Sequence, residues 1–532
     1  MLRTLLSISM CLGACARQPA GPGVAAGARP HAPLPAAPAA ATCAPEPAAP
    51  AAAPAAPAPA PELPALPRLS RDQALRDLRI AERTLTELHP GLYRYLTPAE
   101  LAAELATARA AVADGADLGT MYLLISRLAA SVRCGHTWTN PLNQSARVQR
   151  ELFERADKLP VRLRLVAGRL LVTASADASV PAGAELLTID GRAPQVLVRE
   201  LLPYLRADGR NDGKRLIQID HGEGTDAMDR LFPLLHPPAH RRYRLRLRRA
   251  GDAVEEVEVR AVTRAERDAA IAARSGAAAE PDPSWSFTID GDTARLTLPT
   301  FAFWRGEFDW RAFLDDAFAQ LDARAVPFLI IDQRRNEGGD GAIVEALLRH
   351  LIKAPVRLPA RRAEVAYERA PYQLARFLDT WDFRFFDRTG KVTRGPGRNL
   401  IYAAASTRGA LVQPAARPYR GRTFVLIGPA NSSAGFLLAA ALKQSGAATL
   451  IGQVTGGNQR GLNGGELAWV TLPESGVSFD VPLVAWMPRT PQPDAGIAPD
   501  VEVAPAFEDV AAGADPELAA ARAQVAARRA GR

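Results

Sequence analysis

The stretch "FVLIGPANSSAGFLLAAALK", residues 424–443, decides the fold. A short apolar run ends at a Gly-Pro turn, and an apolar helix begins a few residues later. That is a buried strand feeding a helix, the repeating unit of a layered α/β domain. The same pattern recurs at "IIDQRRNEGGDG", residues 330–341, where a buried strand runs into polar residues, two glycines and another helix. Between about 284 and 505 strands and helices alternate throughout. In such sheets ligands sit beyond the carboxyl ends of the strands. Both turns are therefore candidate site elements. Paired glycines let backbone N–H groups approach a ligand, and a helix start adds positive potential. That suits an oxyanion hole, and it equally suits a sharp strand-to-helix turn. Ser432 and Ser433 pose the same choice. Either one caps the helix, or one is a nucleophile whose neighbour, Ala434, offers a free N–H. The turn is not a phosphate loop, because no Gly-Lys-Ser/Thr follows.

Outward from this core the organisation changes. "SRDQALRDLRIAERTLTEL", residues 70–88, opens on Ser70 as N-cap, and "TPAELAAELATARAAV", residues 97–112, opens on Thr97 with Pro98 behind it. With "LGTMYLLISRLAASV", residues 118–132, they predict a helical domain over 68–145. Residues 150–265 read as strands round glycine turns. "HRRYRLRLRR", residues 240–249, alternates arginine with tyrosine or leucine, the pattern of a strand with one solvated face. Residues 506–532 read as a charged helix or a frayed tail. Of 532 residues, 48% are hydrophobic and 23% charged, which suits a globular protein with a core. The net charge of +8 comes without a nucleic-acid-binding signature, so no nucleic-acid partner is expected.

"MLRTLLSISMCLGAC", residues 1–15, has the basic start, apolar stretch and small residues of an export signal. "LGAC" resembles a bacterial lipobox, which implies cleavage after residue 14 and lipidation of Cys15. Ala16 rather than Asp behind it leans towards the outer membrane. Residues 15–67, mostly Ala and Pro, predict an extended tether that holds the body off the membrane. Cys11, Cys43 and Cys134 complete the four cysteines; they form neither a disulfide framework nor a zinc pattern.

"FLIIDQRRNEGG", "VLIGPANSSAGFLLAAAL", "LIGQVTGGN" and "GIAPDVEV", in that order, resemble the C-terminal processing, or tail-specific, serine peptidase family, which includes the tricorn core. The resemblance implies a ClpP- or crotonase-like β/α peptidase core over 283–505, and "PAGAELLTIDGR", residues 181–192, resembles a PDZ strand-turn within 150–265. It places the nucleophile on Ser433 and the oxyanion hole on the backbone of Gly338, Gly339 and Ala434. One branch of the family takes its base from a lysine, but Asn458 stands at that position. Lys443 lies roughly 15 Å along the following helix. The tricorn-like branch takes a histidine from an earlier domain. "RCGHTW", residues 133–138, resembles its segment, so His136 is the expected base and Asp494 the expected orienting carboxylate, with Asp500 second. His89, in "LHPGLY", is structural or substrate-facing. Gly135 stands where the family carries a further serine.

These readings predict a lipid-anchored, periplasm-facing serine endopeptidase acting on proteins or peptides. It needs no metal or organic cofactor and meets the membrane through its anchor alone. The rival is a catalytically inactive binding lipoprotein that keeps the fold.

Overall fold

The computed structural model describes residues 62–531, apart from 223–225, 250, 252, 276–284 and 305. The export signal, Cys15 and nearly all of the tether lie outside the described residues. The chain is a mixed α/β protein with several sheets. Its centre is a six-stranded sheet in the order Val501–Glu502, Thr449–Gly452, Arg422–Ile427, Phe328–Asp332, Thr293–Thr297, Ser286–Asp290. The first five strands are parallel, and Ser286–Asp290 joins the edge antiparallel.

The two central strands are buried along almost their whole length. Such continuous apolar runs arise because a parallel sheet is covered on both faces. Leu329, Ile331, Val425 and Ile427 pack against the helices Trp310–Ala323, Gly341–Leu351 and Ser433–Ser445. Phe328, Ile330, Phe424 and Leu426 face the other way, onto Leu518, Ala521 and Val525 of the helix Pro516–Ala530. The C-terminal segment is thus a packed layer of the core rather than a frayed tail. Its first turn is pinned by Arg334, which donates to Asp515 Oδ1 at 2.7 Å and to Glu517 Oε2 at 2.8 Å.

Three helices, Arg71–Leu88, Pro98–Ala111 and Leu118–Ser131, precede the sheets. Ser70 and Thr97 each close a capping box with Gln73 and Glu100. A five-stranded antiparallel sheet follows between residues 161 and 260. Its Arg242–Arg248 strand buries Tyr243, Leu245 and Leu247 and leaves Arg244 and Arg246 outside, as its alternation predicts. Arg242 and Arg244 pair with Glu258 and Glu256 on the neighbouring strand, which accounts for the basic run without a polyanion. The helices and this sheet share one apolar core, which continues into the long antiparallel pair Leu462–Thr471 and Ser478–Pro488. No described helix is long and apolar enough to cross a membrane.

Leu518→Ala tests the C-terminal layer. We expect the urea-unfolding midpoint to fall by the equivalent of about 2–3 kcal/mol at unchanged slope; a frayed tail would make the substitution neutral.

Candidate active site

Phe328–Asp332 and Arg422–Ile427 are adjacent and parallel, so the turns that follow them leave the sheet at the same end. Asn431 joins the turns: its side chain donates to the carbonyls of Gln333 and Asn336 and accepts from Gly428 N–H. Ser433 opens the helix with φ 48°, a left-handed conformation that a non-glycine residue adopts only when its surroundings hold it there. A serine on a strained strand-to-helix turn presents its hydroxyl away from the sheet. Ser433 Oγ has no hydrogen-bond partner among the described residues. Ser432 occupies the N-cap position, yet its hydroxyl caps nothing and donates instead across the site to Glu337 O at 3.2 Å.

The glycine turn lies directly against this serine. A Cβ on Gly338 would stand 2.7 Å from both Ala434 N and Ser433 Cβ, and one on Gly339 would stand 2.1 Å from the Phe301 carbonyl carbon. Both glycines have positive φ, 108° and 140°. The three expected oxyanion donors are not equivalent. Gly338 N–H already donates to Asn336 Oδ1 at 2.8 Å, and its carbonyl accepts from Phe301 N–H. Gly339 and Ala434 N–H carry no partner among the described residues. Gly338 makes room, and the free donors are Gly339 and Ala434.

His136 reaches the same region through contacts that its own motif does not reveal. Residues 206–209 clasp its turn: Gly209 N–H donates to Arg133 O, Asp208 Oδ1 accepts from Gly135 N–H at 2.8 Å, and Arg206 donates to Gly135 O at 2.8 Å. The Arg206 guanidinium lies 3.6 Å from the centre of the Trp138 ring and also donates to Glu337 Oε2 at 2.7 Å. Lys214 is 1% exposed and donates to Glu337 Oε1 at 2.5 Å and to Ala430 O at 3.3 Å. One carboxylate, directly before the glycine pair, thus ties the histidine segment to the serine turn. Burial alone would raise the Glu337 carboxyl, but the charges of Lys214 and Arg206 outweigh it and hold the group at about 2. Burial pushes Lys214 down against the pull of Glu337.

The His136 ring lies over Gly464, where a Cβ would meet Nε2 at 2.8 Å. Burial lowers its pKa, Asp208 opposes that, and Arg206 and Lys214 add to it. Its Nδ1 is buried and has no partner, and no hydrogen bond joins it to Ser433 among the described residues. Asp208, 4% exposed, keeps Oδ2 unpartnered beside it. A ring nitrogen of His136 and an Asp208 oxygen lie within 4.8 Å. Asp494 is not brought to the ring. Its Oδ1 accepts from Asn458 Nδ2 at 2.6 Å and from Arg210 N–H at 3.3 Å. Asn458 in turn donates to the backbone carbonyl of Asp208 at 3.1 Å. The residue in the place of the branch lysine therefore bridges Asp494 to Asp208, and Asp208 faces the histidine.

His89, Lys443 and Asp500 fall outside the site. His89 is buried, accepts from Gly91 N–H through Nδ1 and bonds Thr137 through Nε2 at 2.9 Å; burial takes it down to about 3. It is a structural residue that fixes the neighbour of His136. Lys443 is paired with Asp500, which also accepts from Leu450 N–H. Cys134 is buried, and burial together with Asp208 pushes its thiol up to about 11.

A serine on a strained turn, free backbone donors beside it and a buried imidazole in the same region are the parts that serine-hydrolase chemistry calls for. Residues 292–503 match peptidase family S41. Among solved structures it is similar to mature CPAF complexed with lactacystin, at 17% identity over 83% of this chain and 95% of that one, with a TM-score of 0.56. It is similar also to mature CPAF alone, at 16% identity over 83% and 94%, with a TM-score of 0.54. At these identities the likeness is one of fold. No curated protein matches the chain in sequence.

Glu337→Gln tests the ion triad. A carboxylate held at about 2 contributes stability that is full above its ordinary value of 4.5 and is lost as pH falls towards 2. The variant should be less stable at neutral pH and lose less between those limits, read from unfolding midpoints at each pH. An unchanged acid dependence contradicts the assignment. Lys214→Met should cost about 3 kcal/mol by leaving Glu337 underpaired.

Proposed function

We propose that the protein is a serine endopeptidase in which Ser433 attacks the peptide carbonyl and His136 takes the proton and returns it to the leaving amine. Asp208 orients the imidazole, and Gly339 and Ala434 N–H bind the oxyanion. The observation that carries this reading is the left-handed Ser433, held against Gly338 with its hydroxyl unpartnered and the Ala434 N–H beside it. Donors fixed before the reaction stabilise developing charge without reorganisation. The buried Asp208 carboxylate supports the third role because Asp208 Oδ2 and His136 Nδ1 are both without a partner, and an oxygen of the one residue lies within 4.8 Å of a ring nitrogen of the other. Asp494, expected from the resemblance to fill that role, acts on this reading at one remove, through Asn458.

Residues 283–505 are read as a ClpP/crotonase-like core, with 68–145 as a helical domain and 150–265 as a PDZ-like domain. Protein or peptide chains are the substrates. A cleft of about 570 Å³, lined by Tyr93, Tyr95, Arg210, Arg460 and Asp494, adjoins the site as a place for part of such a chain. The lipobox-like "LGAC" and the Ala/Pro tether support a lipoprotein anchored through Cys15 on the periplasmic side, at the outer membrane.

A fluorophosphonate probe should label Ser433 and leave Ser433→Ala unlabelled, and that variant should hydrolyse denatured protein at background rate. Label on Ser432, or label retained in Ser433→Ala, contradicts the assignment. Asp208→Asn should lower kcat by on the order of 10³–10⁴-fold if it orients the base, while Asp494→Asn should act more weakly; the reverse order would return the role to Asp494. Because burial disfavours the imidazolium, the acid limb of kcat/KM should fall below the ordinary value of 6.5. A limb at or above 6.5 would argue against His136 as the base.

A further inference from the structure

The turn that presents His136 carries a second set of donor atoms. The Cys134 sulfur, a ring nitrogen of His136 and a carboxylate oxygen of Asp208 all lie within 4.8 Å of one another. Cys134 and Asp208 are 1% and 4% exposed. Asp208 Oδ2 and His136 Nδ1 are buried polar atoms without a hydrogen-bond partner. An unsatisfied buried polar atom is costly, so a partner common to both is favoured. A hydrogen bond between them would serve those two and leave the sulfur to its long 4.0 Å contact with Asn463 O. A cation serves all three.

The donor set selects the cation. Thiolate, imidazole and carboxylate together are borderline-soft ligands that suit Zn²⁺ and disfavour Mg²⁺ or Ca²⁺, which take oxygen. Tetrahedral zinc places such donors about 3.5 Å apart. The trio, within 4.8 Å of one another, reaches that spacing by a small closing movement, with a fourth position left for water. Gly135 lets the Asp208 carboxylate come close to the turn between Cys134 and His136, since a Cβ there would stand 2.7 Å from Asp208 Oδ2. The neighbouring cations Arg206 and Lys214 are already held by Glu337.

The other cluster of this kind among the described residues, His221, Asp226 and Asp229, differs in the feature that matters. There Arg267 forks onto Asp229 at 2.6 and 2.7 Å, and Arg264 meets Asp226 at 2.9 Å. Arginine already supplies the positive charge. At Cys134, His136 and Asp208 no such fork is inserted among the three donors.

The geometry points to a regulatory zinc site formed by Cys134, His136 and Asp208, at which the cation reversibly occupies the base and its orienting carboxylate and so inhibits hydrolysis. On binding, the Cys134 thiol gives its proton to solvent and ligates as thiolate; no electron is transferred. The inhibitory half rests on the reading of His136 as base, whereas the binding half does not.

Two readouts separate these halves. Chelator-treated full-length protein is titrated with Co²⁺ alone, then with Zn²⁺ alone. We expect a thiolate-to-cobalt charge-transfer band that saturates at one metal per chain and is displaced by zinc. Zinc should abolish hydrolysis, and chelator should restore it. Cys134→Ser should lose the band, which also separates Cys134 from Cys15 and Cys43. Relative to its own zinc-free rate, that variant should need at least ~10-fold more zinc for half-inhibition. Should it fold poorly, Cys134→Ala and the wild-type band carry the same test. Absence of the band from active wild-type protein, or equal zinc sensitivity of wild type and variant, overturns the site. A band in protein that has no Ser433-dependent hydrolysis when zinc-free overturns the peptidase reading and leaves the metal site standing.

Discussion

Everything proposed for this site depends on Glu337 and its two cationic partners. The carboxylate belongs to the glycine turn of the parallel sheet. Arg206 and Lys214 come from a segment more than a hundred residues earlier. Arg206 also holds Gly135 beside His136, and Lys214 also holds Ala430 ahead of Ser433. A half-buried carboxylate shared by two cations is favourable only when the geometry is closely met, because each charge has given up water. The same requirement fixes the turn whose next residue, Gly338, lies against the serine.

Two constraints meet there. Parallel pairing of the central strands sends both candidate turns off one end of the sheet, and that follows from local sequence. Placement of the histidine does not. It relies on residues 206–209 clasping the 133–136 turn, on Trp138 beneath Arg206, and on Gly464 beneath the ring. The serine side of the site is a property of one α/β layer, while the histidine side is a property of how the five-stranded sheet, the long antiparallel pair and the helical segment share a core. Arg206 and Gly464 contact the His136 segment and not Ser433.

The layered core was legible because a doubly covered parallel sheet writes itself as unbroken apolar runs ending in glycine turns. The helix starts were legible from their caps, and Arg242–Arg248 from its alternation. Ser433 and its neighbours were legible through the family resemblance alone, since an isolated pair of serines reads first as a cap. What escaped had no local signature. Asp208, Arg206 and Lys214 sit in "LRADGRNDGK", a stretch of turn residues whose meaning comes from partners at 135, 337 and 430. The second carboxylate was placed on Asp494 from its offset to "GIAPD", but Asn458 intercepts it. The sequence left the C-terminal segment open between a helix and a frayed tail, because its small apolar residues carry little periodic signal until Phe328 and Phe424 are seen facing them.

The most direct measurement is a crystal structure of the protein reacted with a peptide boronate. The account predicts a tetrahedral adduct on Ser433 Oγ, with one boronate oxygen within hydrogen-bond distance of Gly339 and Ala434 N–H and His136 facing another. An adduct on a different residue would contradict it. So would an adduct on Ser433 whose oxygen points away from those two N–H groups while His136 stays out of reach.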